Sequence, residues 1–194
     1  MALLLPLLAA VVVCSYGSVS SLGCDLPQNS ALLSRRTFDL LDEMRRISPF
    51  LCLKDRRDFR LPRRLVDGGP SHKVQAMSVV HEMLQQTLSL FHTERSSAAW
   101  SAPLLHELRT ELHQQLELLD TCLEQVMVEE TSALTAGDPS VTLRKYFQRI
   151  RLYLEEKKYS DCAWEIVRVE ILRAISSAAK LQERSNQDGH LGSS

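Results

Sequence analysis

The chain of 194 residues lacks the signals of a β-fold. No alternating apolar–polar run bounded by turn dipeptides occurs, and between residues 24 and 184 every glycine and proline lies between the helical patterns or at a helix start. A formal net charge of −1 leaves no global basic field to attract nucleic acid. GxGxxG, Walker, GxSxG and HExxH patterns are missing, so nothing points to a catalytic residue or an enzyme. No CxxC pair or Cys/His cluster at ligand spacing exists, which excludes a metal site and leaves no cofactor to hold. Asn29-Ser30-Ala31 and Asn186-Gln187-Asp188 both fail the N-glycosylation pattern. No internal repeat suggests a solenoid.

What is present begins with an apolar run over residues 2–13 and small residues up to Gly23. The run is shorter than the roughly 20 residues of a spanning helix, so residues 1–23 are expected to be a secretory signal peptide cleaved before Cys24. The remaining 194 − 23 = 171 residues, 24–194, suit one secreted, extracellular domain with no membrane insertion. They retain Cys24, Cys52, Cys122 and Cys162. An even set in an exported chain reads as two disulfides, with three pairings open.

Helical periodicity dominates the rest. The first pattern runs over about 30–47, with Leu33, Phe38, Leu40, Leu41 and Met44, and stops at Ser48-Pro49. A long break over 48–73 can span a whole helix, which frees the next helix from being antiparallel to the first. The second pattern covers about 74–91, with Met77, Val80, Leu84, Leu88 and Phe91. After a polar link, HTERSSAAWS, the third repeats leucines from Leu105 to Leu123, with Ser101 to cap it and Pro103 in its first turn. The fourth carries Leu143, Phe147, Ile150 and Leu154, and the short link 157–160 demands an antiparallel return. The fifth starts at Ser160 or Asp161 and ends near Arg184, leaving 185–194 as an unpatterned tail expected to be flexible. The expectation is an all-α, five-helix cytokine bundle with long crossover loops and two disulfides.

The fifth helix serves two surfaces. Trp164, Val167, Ile171, Ala174, Ile175 and Ala178 form a core stripe. Arg168, Leu172, Glu165, Ser176, Val169 and Arg173 form a second contiguous face that mixes apolar groups with arginines. Aliphatic groups ringed by guanidinium suit a protein interface. The basic segment from Leu53 to Arg64 is interleaved with Asp55 and Asp58, which favours an acidic protein partner over phosphate. If Cys52 is bridged to Cys162, Leu53 and Arg56 join the fifth-helix face. His106 and His113 share a helix face without a third ligand and read as solvated.

These residues also carry a resemblance. CDLP at Cys24, RRISPFLCLKDRRDF around Cys52, HEMLQQTLSLF from His81, SSAAW ending at Trp100, RKYFQRIRLYLEEKKYSDCAWEIVRVEI from Arg144 and the terminal LQER look like the signatures of the type I interferons. The resemblance covers essentially the whole mature chain. It implies disulfides Cys24–Cys122 and Cys52–Cys162, and a monomeric cytokine that bridges two receptor chains, bringing Janus kinases together to activate STAT factors. It implies that the high-affinity chain contacts Leu53, Arg56, Arg168, Val169, Leu172, Arg173 and Ser176. For the low-affinity chain it implies His81, Glu82, Gln85, Leu88, Ser89, Thr93, Leu104, Arg109, His113 and Arg144. Arg109 and His113 stand where relatives often have tyrosine, and Leu88 and Ser89 where Phe and Asn are common. The alternative from another class is a secreted helical carrier of an apolar ligand, which would retain that ligand through gentle purification.

Overall fold

The computed structural model describes residues 35–63, 73–129 and 139–191, and among them finds helices and no strands. In order these are α1 (Arg35–Glu43), a 3-10 segment (Pro49–Asp55), α2 (Lys73–Phe91), α3 (Glu94–Ala99), α4 (Ala102–Glu129), α5 (Pro139–Glu156) and α6 (Asp161–Leu191). Five of them are the expected helices, within a few residues of the periodic patterns. The expected signal peptide and Cys24 lie outside the described residues, and with them the expected Cys24–Cys122 pairing; Cys122 itself is buried on α4.

Side-chain pairing gives the helix directions. On α2 and α4, His81 meets Asp120 and Phe91 meets Arg109, so the two run antiparallel. On α2 and α5, Glu82 meets Arg144 and Ser89 meets Arg151, so they run parallel. Tyr146 of α5 meets Glu170 of α6, while Leu41 of α1 and Arg46 just beyond it meet Arg168 and Asp161; both helices therefore oppose α6. It follows that α1 and α2 are parallel, and the first connection is the crossover. The second long connection, around 130–138, joins the antiparallel α4 and α5. A cytokine-type bundle thus needs only one overhand loop here.

The core stripe of α6 is as the periodicity requires: Trp164, Val167, Ile171, Ala174, Ile175 and Ala178 are all buried. At one end Phe91, Trp100, Tyr159 and Trp164 cluster with ring centroids 6.1–6.5 Å apart. The turn from α5 to α6 is closed by Tyr159 N–H donating to Leu154 O (2.8 Å) and Lys158 N–H to Glu155 O (3.0 Å), a Schellman arrangement. Both Lys158 and Tyr159 take positive φ there. Ser160 Oγ accepts from Ala163 N–H at 3.3 Å and so caps α6, as its hydroxyl at that position predicts.

Two expectations change. The polar link after α2 contains the short helix α3, because Thr93 caps it, its Oγ1 accepting from Ser96 N–H at 3.1 Å, and Trp100 behind it is drawn into the aromatic cluster. Helix α6 does not stop near Arg184 but continues to Leu191. Ala174, Ala178, Leu181 and Ser185 recur four, three and four apart, and all are buried, so the packed stripe carries the helix past the point where apolar residues end.

Candidate protein-binding faces

The disulfide Cys52–Cys162 selects between the pairings for these two cysteines and pins the 3-10 segment to the start of α6 across 110 residues of sequence. That places Leu53 and Arg56 beside α6. Between them lies a groove of about 480 Å³, lined by Pro49, Phe50, Leu53, Arg56, Arg57, Asp58, Phe59, Ile166, Val169, Glu170 and Arg173. Its apolar wall is unusually wet for aliphatic and aromatic groups: Phe50 is 80% exposed, Leu53 57% and Val169 38%. Exposed apolar side chains concentrated at one site, rimmed by polar groups, mark an interaction surface more often than scattered ones do.

The groove's charges are arranged by the fold. Arg173 donates from Nε and Nη2 to the Glu170 carboxylate at 3.1 and 2.9 Å. That hydrogen bonding raises the Arg173 pKa above its ordinary value, against the opposing effect of partial burial. Buried Tyr146 donates its hydroxyl to Glu170 Oε1 at 2.7 Å, and burial, reinforced by that carboxylate, pushes the phenol well above the usual tyrosine range. Arg57 grips Glu156 through Nη1 and Nη2 (2.7 and 3.1 Å) and stands 5.4 Å over the Tyr153 ring. Arg56 is left at the solvent side of the groove.

Of the residues assigned to this face from sequence, Leu53, Arg56, Val169 and Arg173 line the groove. Leu172 and Ser176 are half-buried farther along α6 and do not line it. Arg168 is corrected: its side chain is 2% exposed. It donates Nε and Nη2 to Glu165 at 2.9 and 2.6 Å, and Nη1 to Leu41 O at 2.8 Å. Leu41 O belongs to the last turn of α1, whose carbonyls have no helical partner, so Arg168 caps α1 rather than facing outward. Glu165, placed on the same face by angle, is fully buried with it. Periodicity missed Pro49 and Phe50, which sit in the short 3-10 segment, and Phe59, which sits in irregular backbone, because α-helical angles read neither. Phe50 has a local signal nonetheless: a large apolar side chain directly after the Ser48-Pro49 break.

The second face lies on α2, α4 and α5 and is built differently. His81 Nε2 lies 2.8 Å from Asp120 Oδ1. Glu82, corrected from an expected contact position, is buried; it accepts from Arg144 Nε and Nη2 at 2.9 and 3.2 Å and from Gln86 at 3.0 Å. Arg151 Nη2 donates to Gln86 Oε1 (2.9 Å) and Ser89 Oγ (3.2 Å), and burial lowers its pKa. Leu88 is likewise corrected, since it packs in the core. Arg109 donates twice to Phe91 O (2.9 and 2.7 Å) and once to Ser97 Oγ (3.0 Å), closing the end of α2. Thr93 is spent on capping α3. Gln85, Ser89 and His113 are exposed and Leu104 is half-buried. Of the assigned set, then, Gln85, Ser89, Thr93, His113 and Arg144 are exposed, and His81 is half-buried. Among the described residues no His, Cys, Asp and Glu group could hold a metal, and no helix is long and apolar enough to cross a membrane.

A model of the interferon alpha/beta domain matches residues 26–185. Interferon omega-1 of Homo sapiens is 63% identical over the full length of both chains. Interferon tau of Cervus elaphus is 58% identical over 97% of each chain, and human interferon alpha-10 is 56% identical over 95% of this chain and 97% of that one. That ordering agrees with the CDLPQN start, the GDPS link and the tail beyond LQER, which look most like the ω subtype with α and τ nearby. The fold of zebrafish interferon 2 superposes with a TM-score of 0.64 at 20% identity, covering 78% of this chain and 97% of that one. With the disulfide-pinned bundle already in place, these matches decide the class: the chain belongs to the type I interferon family, and is an antiviral-type cytokine acting through a protein receptor, not an enzyme.

Proposed function

We propose that this chain is a secreted, monomeric cytokine that binds the two chains of the interferon-α/β receptor at once, one on each face. Bringing the receptor-associated Janus kinases together then drives STAT-dependent antiviral, antiproliferative and immunomodulatory genes. The observation that supports this reading best is the groove between the 3-10 segment and α6, where Phe50, Leu53 and Val169 are exposed beside Arg56 and Arg173. Such a surface suits a partner that inserts aliphatic side chains and presents carboxylates at the rim, the usual make-up of a tight protein contact. The second face is built around charges paired within the bundle, His81 with Asp120 and Glu82 with Arg144. That fits a weaker contact.

The experiment is binding kinetics of the oxidised mature chain against each receptor ectodomain separately, at two salt concentrations. Tight binding to one chain, weak binding to the other and a salt-sensitive association rate for the tight one are expected. Protein with intact disulfides and helicity that binds neither chain would overturn the reading.

A further inference from the structure

The two walls of the groove are held by side chains of a helix that lends no residue to its lining. On α5, Tyr146, Arg149, Tyr153 and Glu156 fall within about 80° of one another at helical spacing, a stripe beside the core positions Leu143, Phe147, Ile150 and Leu154. Residues 56–62 opposite it have no regular secondary structure, so their backbone groups must find partners elsewhere. Arg149 supplies two, donating Nε to Phe59 O at 2.9 Å and Nη2 to Arg60 O at 3.1 Å. Tyr153, itself buried, donates its hydroxyl to Asp55 O at 2.7 Å and packs edge-on against Phe59 at 5.1 Å. Between these anchors Arg60 holds φ 56°, a left-handed conformation unfavourable for a non-glycine residue that needs the surroundings to fix it. Toward the other wall, Tyr146 fixes Glu170, which fixes Arg173.

The geometry points to α5 as the positioning element of the binding groove: Tyr146, Arg149 and Tyr153 set the spacing and charge placement of its two walls without touching the partner. The inference rests on the groove being the high-affinity face. A loop freed from its anchors populates the binding-competent shape only part of the time, and apparent affinity falls by that fraction. The fingerprint is kinetic. A positioning residue acts on association, whereas removal of a contact acts mainly on dissociation.

The test compares Arg149→Gln, Tyr146→Phe and Tyr153→Phe with Leu53→Ala, which lines the groove, as the contact control, using each receptor ectodomain and amide hydrogen exchange. Tyr153→Phe removes one oxygen and keeps the ring, so it stays informative if Arg149→Gln folds poorly. Each of the three α5 variants should bind the high-affinity chain about five- to tenfold more weakly through a slower association rate, with binding to the other chain unchanged. The Arg149 and Tyr153 variants should also show faster exchange over residues 55–61, and Arg149→Lys, which cannot bridge two carbonyls, should fall between wild type and Arg149→Gln. Faster exchange with an unchanged association rate would overturn the inference, as would equal weakening toward both chains, which signals a loosened bundle. Wild-type protein that fails to bind the high-affinity chain would instead overturn the functional reading, and this inference with it, before any variant is compared.

Discussion

Replacing Arg168 by Met tests the buried network that sequence periodicity read as surface. Its guanidinium is 2% exposed, against a Glu165 carboxylate at 0%, with N–O distances of 2.9 and 2.6 Å. The third contact, to Leu41 O at 2.8 Å, completes the end of α1, while Asp42 at 3.9 Å is too exposed to replace it. Removing only the arginine leaves a carboxylate in the core with no counter-charge and a helix-end carbonyl with no donor. Breaking one side of such a pair costs about 3–5 kcal/mol. For a chain of this size that is a fall in Tm of roughly 6–20 °C. Urea unfolding followed by circular dichroism measures it directly. The companion variant, Glu165→Leu with Arg168→Met, removes both charges and should recover most of the loss, because paired apolar groups of similar volume replace buried ion pairs at little cost. The double variant should regain receptor affinity together with stability. If Arg168→Met keeps wild-type stability, or if the double variant is stable yet still fails to bind, Arg168 reaches the partner directly and the argument is wrong.

At the groove, Leu53→Ala or Arg173→Ala should weaken binding to the high-affinity chain by about 1 kcal/mol or more while the bundle stays folded; unchanged affinity in a correctly folded variant refutes the assignment of that face. Double substitution Cys52→Ser with Cys162→Ser releases a 110-residue link, and should lower unfolding free energy by about 4–5 kcal/mol on the chain-entropy account; a loss below about 1 kcal/mol would mean the segment is held without the bond. Burial of the hydroxyl, aided by Asp55, raises Tyr153 to about 12, above its unfolded value of 10.0. Since the neutral form is the one favoured in the folded state, this contribution is complete below pH 10 and lost as pH rises toward 12. Spectrophotometric titration of the mature chain should therefore show tyrosines lagging past pH 10, with one fewer in Tyr153→Phe, and three normal tyrosines would contradict the burial.

How legible each part was in the sequence follows from what helical angle can and cannot report. It reports which side of a helix turns inward, and for α6 it placed Trp164, Val167, Ile171 and Ala178 correctly because apolar groups mark the buried arc. It cannot tell a buried cation from a solvated one. Arg168 lies only one helical step from the core arc, and its burial depends on Glu165 on the same helix and on a carbonyl of α1 that lies 127 residues away in sequence. Ser185 shows the reverse case, a polar residue in a packed stripe, so the helix outran the pattern that announced it. Phe50 sits in a short 3-10 segment and Phe59 in irregular backbone, and the α-helical period applies to neither. Motif resemblance reached further than periodicity, because it carries tertiary information; yet it too named Arg168, Glu82 and Leu88 without showing that they are buried.

The contrast between the two faces comes down to where charge has been left unspent. On the second face His81 is matched by Asp120, Arg144 by Glu82, and Arg151 by Gln86 and Ser89. A partner arriving there must compete with bonds the bundle already makes, so each new contact gains only the difference. On the groove face the internal bonds go to backbone carbonyls, to Glu170 and, from Arg57, to Glu156, and they fix the loop while leaving Phe50, Leu53 and Val169 uncovered. Burying those side chains releases water without breaking any protein bond, at about 25 cal/mol for each Å² removed from solvent. On the proposed two-face reading, a bundle that spends arginine contacts on holding an apolar groove rigid is expected to bind tightly at that face and more weakly at the other.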